Sequence, residues 1–114
     1  MNDFSKKRRL LEKSDYDHVF QQAQKLTTPE FVFLYRCNSV GHARLGLALS
    51  KKNIAKSHDR NRIKRLLRET FRREALPAID IVVLGRRGVA TTQNSAMLTK
   101  LGKAWEKLII LCTK

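Results

Sequence analysis

Arg60-Asn61-Arg62-Ile63-Lys64-Arg65-Leu66-Leu67-Arg68-Glu69-Thr70-Phe71-Arg72-Arg73 is the stretch around which the rest of the chain is read. Ile63, Leu66, Leu67, Thr70 and Phe71 fall on one stripe at helical spacing. They predict an amphipathic helix from about His58 to Ala75, stopped by Pro77. At ~100° per residue, Asn61, Lys64, Arg68 and Arg72 form a row along one flank of that stripe. Arg62 and Arg65 lie farther round, facing away from the core, and Arg60 emerges at the N-terminal end. A solvated helix face usually mixes signs and carries acid–base pairs at i,i+4. Here seven basic residues are interrupted only by Glu69. Lys64 and Arg68 are like charges at i,i+4, and Arg60, Arg62 and Lys64 crowd the end where the helix dipole disfavours cations. Cations at the unfavourable end of a helix suggest an anion that offsets them. Arginine predominates, and guanidinium groups bind phosphate in a bidentate way and stack on bases, which suits folded RNA. Asn61 fits either a base edge or a local helix cap.

Composition agrees. Lys plus Arg number 24 against 10 Asp plus Glu in 114 residues, a net charge of +14 and a pI near 10.5. Such an excess opposes compaction by self-repulsion and calls for a polyanionic partner, nucleic acid ahead of an anionic membrane surface. Hydrophobic residues make up 42%, enough for a modest core in one domain, expected over 1–114. No apolar run approaches the ~20 residues of a spanning helix, and none follows Lys6-Lys7-Arg8-Arg9 as a secretory signal would require. Cys37 and Cys112 read as two reduced thiols, and His18, His42 and His58 have no metal-ligand spacing.

Outward from the basic helix, residues 1–13 read as a flexible basic N-terminus. Ser14 looks like an N-cap, with Asp17 as a short capping-box acid; Tyr16, Val19, Phe20 and Ala23 then predict a helix of about ten residues, ended by Thr27-Thr28-Pro29. Phe31 to Cys37 reads as a strand, with Phe31, Phe33 and Tyr35 on one face and Val32 and Leu34 on the other. After a turn at Gly41, Ala43 to Ser50 reads as a second strand with Leu45, Leu47 and Leu49 opposite Gly46, Ala48 and Ser50. The two strands are expected to form an antiparallel hairpin. The small-residue face either lets something approach the sheet closely or packs under a helix. Ile79 to Leu84 is a further strand, closed by the basic turn Gly85-Arg86-Arg87-Gly88. From about Asn94, Met97, Leu98, Leu101, Trp105, Leu108, Ile109 and Cys112 mark a last helix whose stripe is core. The order helix, two strands, helix, strand, helix implies an α/β sandwich on a mixed sheet with a parallel pairing.

With Ser50-Lys51-Lys52 ahead of Arg60-Asn61-Arg62-Ile63-Lys64-Arg65-Leu66-Leu67-Arg68-Glu69, the chain resembles the bacterial-type ribonuclease P protein component. Arg8 and Leu10 before the first helix, Phe20 within it and the Phe31–Tyr35 strand fit the same pattern, so the resemblance runs from about residue 6 to 110. It implies an α+β sandwich with a four-stranded sheet, in which the stretch around Ser50–Asn53 adds the fourth strand, and a left-handed βαβ crossover against the usual hand. It also implies the non-catalytic subunit of a cytoplasmic endoribonuclease that removes the 5′ leader of precursor tRNA. The RNA subunit would carry catalysis and hold the magnesium, with no cofactor bound tightly by the protein, no membrane role and no obligate protein partner.

Carried over by position, Arg60, Asn61, Arg62, Lys64, Arg65 and Arg68 would face ribonuclease P RNA. Tyr16, Phe20, Val32, Leu34, Ser50, Lys51 and Lys52 would line or border the leader cleft. Tyr16 stands where the family often has Phe, a change that keeps stacking. The Asn53–Asp59 stretch lacks a glycine that many members carry. No nucleophile–base pair or metal cluster for a hydrolase is evident, so no catalytic residue is assigned. A ribosomal or other structural RNA-binding protein fits the composition but not the long motif and element order. A helix-turn-helix DNA-binding protein would need a helix and tight turn ahead of the basic helix, where a strand stands instead.

Overall fold

The strands follow from where apolar side chains fall. In a computed structural model describing residues 9–10 and 13–112, Ile79–Gly85 is buried on nearly every position, on both faces. A strand apolar on both sides belongs inside a sheet rather than at its edge. This strand, β4, accordingly lies between β2 (Phe31–Cys37) and β3 (Arg44–Ala48), in the sheet order β1-β2-β4-β3, with β1 formed by Gln24–Thr27. β1 with β2 and β2 with β4 are antiparallel; β3 with β4 is parallel. The expected hairpin between β2 and β3 is therefore not formed, because β4 takes the place between them. The crossover from β3 to β4 is α2 (Ser57–Phe71); α1 (Lys13–Gln21) precedes the sheet, and a 3-10 turn (Val89–Thr91) leads to α3 (Asn94–Cys112).

The fourth strand is Gln24–Thr27, not the stretch around Ser50–Asn53. α1 ends at Gln21, and Leu26 then buries one side chain of β1 on the core face. Thr28 closes the β1–β2 turn: its amide donates to Phe31 O at 2.8 Å and its Oγ1 accepts from Phe31 N at 3.0 Å. Thr27-Thr28-Pro29 is thus a hairpin turn and not a helix end. Residues 50–54 instead fold into a turn in which Ile54 N donates to Ser50 O and Asn53 Nδ2 to Gly85 O, with Ile54 fully buried. Lys13 opens α1, so Ser14 lies within the helix rather than capping it.

Two helices cover one face of the sheet. α2 brings Ile63, Leu66, Leu67 and Phe71, and α3 brings Met97, Leu101, Trp105 and Leu108, onto Phe31, Phe33, Tyr35, Leu45, Ile81 and Val83. Trp105 sits at the centre, its ring edge-on to Phe33 (5.3 Å) and Phe71 (5.7 Å), and its Nε1 donates to Thr70 Oγ1 at 2.8 Å. That bond satisfies the one polar atom of the largest buried ring. α1 covers part of the opposite face, where Leu10, Val19 and Val82 are buried together with Tyr16, Ala23, Leu34 and Ala48 around them. Part of the segment expected to be flexible is also seated: Arg9 bridges Leu45 along the outer edge of β3, and Leu10 N donates to Leu45 O at 3.0 Å. The remaining N-terminal residues, 1–8 and 11–12, lie outside the described residues. No helix among those described is long and apolar enough to cross a membrane.

Candidate RNA interface

The apolar stripe of α2 fixes where its cations go. Burying Ile63, Leu66, Leu67, Thr70 and Phe71 turns the rest of the helix outward, but not all of its guanidinium groups reach solvent. Arg60 Nη1 donates to Ile54 O (2.9 Å) and Ala55 O (3.0 Å), fastening the preceding loop to the helix. Arg62 lies against the start of α3, where it donates to Thr92 O (3.1 Å), Asn94 Oδ1 (2.6 Å) and Ala90 O (2.9 Å), with Asp59 at 3.8 Å. Sequence placed it facing away from the core; it faces a neighbouring element. Asn61 and Arg65 are exposed, and with His58 and Arg62 they border an open hollow of about 420 Å³.

Lys64 and Arg68 turn to the other flank. Together with Arg9, Leu10, Tyr16, Leu45 and Leu47 they line a hollow of about 190 Å³ between α2, β3 and α1. Three cations from two distant parts of the chain thus share one hollow with the Tyr16 side chain. Position alone gave no reason to add Arg9 to the site, although it ends the basic run Lys6-Lys7-Arg8-Arg9.

The register of the sheet lays out the second surface. Leu34, Val82 and Gly46 form one cross-strand row on the α1 side; Val32, Leu84 and Ala48 form the next; Arg36, Asp80 and Arg44 form the row at the opposite end. α1 lies on the middle of this face. Its Asp15 is 3.9 Å from Arg44, and its His18 carbonyl accepts from Arg36 Nη1 at 2.9 Å. At ~100° per residue, Tyr16 and Phe20 share the other flank, toward the Val32–Leu84–Ala48 row. The Tyr16 ring lies directly on Gly46, and its hydroxyl accepts from Leu47 N at 3.2 Å on the outer edge of β3. The small-residue face therefore serves both purposes weighed from sequence: Gly46 packs under a helix side chain, while the row beyond it stays only partly covered. Phe20 is 47% exposed, so its ring is available beside that row. Ser50, Lys51 and Lys52 are exposed where the chain leaves β3, at the Ala48 end of the row.

Arg44 on the sheet is neutralised within the protein by Asp80. Asp80, 2% exposed, accepts from Arg44 through both carboxylate oxygens (2.9 and 2.8 Å) and from Asn38 at 2.8 Å. The bond to Asp80 raises the pKa of Arg44 above its ordinary value against an opposing effect of burial. Among the described residues, no three His, Cys, Asp or Glu side chains converge as a metal-binding group.

The family model described as Ribonuclease P matches residues 4–109. The chain belongs to the ribonuclease P protein family. It is 62% identical over 105 residues to the ribonuclease P protein component of Legionella pneumophila (strain Corby), covering 92% of each chain. It is 47% identical over 106 residues to that of Photorhabdus laumondii, covering 91% of this chain and 89% of that one. Among solved structures, the ribonuclease P protein of Staphylococcus aureus superposes with a TM-score of 0.75 at 25% identity, covering 92% of this chain and 94% of that one. The Thermotoga maritima ribonuclease P protein gives 0.69 at 29% identity, covering 83% and 96%. As a ribonuclease P protein, the chain is the protein component of an endoribonuclease of tRNA 5′ processing, with an RNA partner.

Proposed function

We propose that this chain grips ribonuclease P RNA with the outward flank of α2 and holds the 5′ leader of precursor tRNA on the partly covered sheet row. Asn61, Arg65 and the flank shared with Arg62 would meet the RNA subunit. Tyr16, Phe20, Val32 and the Ser50-Lys51-Lys52 turn would meet the leader, while Leu34 lies in the neighbouring row packed beneath α1. Arg60 contributes at one remove, by holding the loop that presents Lys51 and Lys52 against the start of α2. The observation that carries this reading is the hollow where Arg9, Lys64 and Arg68 converge on Tyr16. It joins the basic helix to the aromatic flank of α1, so the surface for the RNA subunit and the surface for the leader meet there.

The protein would act by neutralisation and positioning, in the cytoplasm, with no bond broken by its own side chains. In this reading catalysis and the magnesium ions belong to the RNA subunit, and the described donor set supplies no cluster that would hold the metal in the protein. Cations placed along the leader and the RNA replace counterions, each phosphate contact contributing ~0.7–0.9 to the slope of log affinity against log salt. The same neutralisation lowers the magnesium the RNA needs to fold against its own repulsion. The test adds the protein to ribonuclease P RNA and precursor tRNA at low magnesium. Faster 5′ processing is expected; an unchanged rate would overturn the proposal.

A further inference from the structure

The sheet row described above ends at β1, where Thr27 pairs with Val32. Around that edge lies a groove of about 280 Å³ that the proposed interface does not use. Leu26, Pro29 and Ala104 give it an apolar floor, and Lys100, Lys103 and Lys107 of α3 stand along its rim with Thr27, Thr28 and Glu30. The three lysines recur at i, i+3 and i+7, so the helix places them on one side. Lys100 is held by Glu30, whose carboxylate is 8% exposed and 2.6 Å from Nζ. That pair cancels within the groove, which leaves Lys103 and Lys107, both exposed, as its net charge.

We infer that this groove continues the leader track: the single strand crosses the Ala48–Leu84–Val32–Thr27 row, rounds the β1 edge, and places its next phosphates on Lys103 and Lys107. The inference rests on the leader reading given above. Three things favour the strand as occupant. The groove begins at the strand where the row ends, three strand spacings, or about 14 Å, from β3. Its rim carries the charge that phosphate requires. Its floor is apolar, which suits a base face, since such contact is tolerant of sequence. Flexible lysines rather than arginines fit a stretch held as point charges, without the bidentate grip of α2.

The test uses holoenzyme reconstituted with ribonuclease P RNA and two precursor tRNAs, one with a short leader that ends on the row and one with a leader extended past β1. Lys103→Glu/Lys107→Glu should weaken binding of the extended-leader precursor by roughly tenfold at low salt and lower its salt slope by ~1.4, at ~0.7 per single-strand phosphate. The short-leader precursor should bind as before, and Lys103→Arg/Lys107→Arg should restore the extended one. No loss with the extended leader overturns the groove assignment. So does an equal loss at both lengths accompanied by weaker binding of ribonuclease P RNA alone, which would give the lysines to the RNA subunit. Phe20→Ala provides the separate control. If it leaves both leaders bound as in the wild type, the sheet row does not hold the leader and the continuation falls with it. If it weakens both while the lysine variant weakens neither, only the groove is lost.

Discussion

Tyr16 occupies the space that a side chain at residue 46 would need: a Cβ on Gly46 would fall 2.8 Å from Tyr16 Cζ and 2.9 Å from its hydroxyl oxygen. The glycine is required here by close approach, not by backbone conformation. The contact sets the height of α1 above the sheet and leaves the hydroxyl aligned with the Leu47 amide on the outer edge of β3, next to the pairing of Arg9 and Leu10 with Leu45.

Gly46→Ala should therefore push the ring off the strand. Overpacking of this kind costs about 1–3 kcal/mol, and leader binding should fall with it, since Tyr16 and Phe20 move together. Adding Tyr16→Ala to Gly46→Ala should recover part of the melting temperature but none of the leader affinity. Urea denaturation and leader titration check both halves; wild-type stability for Gly46→Ala would refute the packing argument.

Arg62 and Arg65 are three residues apart and should behave differently. Arg62 makes three hydrogen bonds to the segment 90–94 with its side chain 22% exposed, so Arg62→Ala should lower stability by roughly 1–3 kcal/mol. Arg65→Ala should leave the unfolding free energy within ~0.5 kcal/mol of wild type while reducing the salt slope of RNA binding by about one. Equal melting losses in the two variants would contradict the assignment.

Trp105 Nε1 has Thr70 Oγ1 as its partner in a fully buried site. Thr70→Val keeps the shape and removes the acceptor, at a cost of about 1–3 kcal/mol for the orphaned indole N–H. Thr70→Ser should retain most of the stability. Thermal unfolding of the two variants side by side distinguishes loss of the bond from loss of volume.

Cys112 and Cys37 border one cavity of about 380 Å³, yet they should react at different rates. Burial, and secondarily the nearby Cys37, push the Cys112 thiol above its ordinary pKa. A raised pKa leaves less thiolate at any given pH below it, and thiolate is the reactive form. Cys37 is exposed. Iodoacetamide near neutral pH should label Cys37 first, and the rate at Cys112 should climb over a more alkaline range. Mass spectrometry of tryptic peptides would show the order, and faster labelling of Cys112 would be incompatible with this environment.

Much of the fold was legible because its long elements carry strong periodicity. The stripes Ile63–Phe71 and Met97–Leu108 and the alternation Phe31–Tyr35 each placed an element of the right kind. β1 was not legible: of Gln24, Lys25, Leu26 and Thr27 only Leu26 is buried, and the segment is a strand because β2 offers it a ladder. The false hairpin came from trusting adjacency across Gly41. The apolar run Ile81-Val82-Val83-Leu84, which does not alternate, was the signal that this strand belongs in the middle. At the candidate site, residue types and the helix face were readable. The inward commitment of Arg60 and Arg62 was not, because most of their acceptors are backbone carbonyls, at Ile54, Ala55, Ala90 and Thr92, and a carbonyl leaves no mark in a sequence.

The place of β4 between β2 and β3 also sets a timetable. Synthesis delivers both flanking strands before the one that joins them, and the sheet cannot close until residue 85 has emerged. Until then the apolar stripe of α2 has only part of its floor, and β2 and β3 each show an unpaired edge. Pairings between distant segments are slow to form. During that interval the chain's many positive charges keep it apart from other copies of itself, so the composition that suits an RNA-binding surface also protects the unfinished protein from aggregation. A chain ending short of β4 would lose the link between its two halves, not merely one strand.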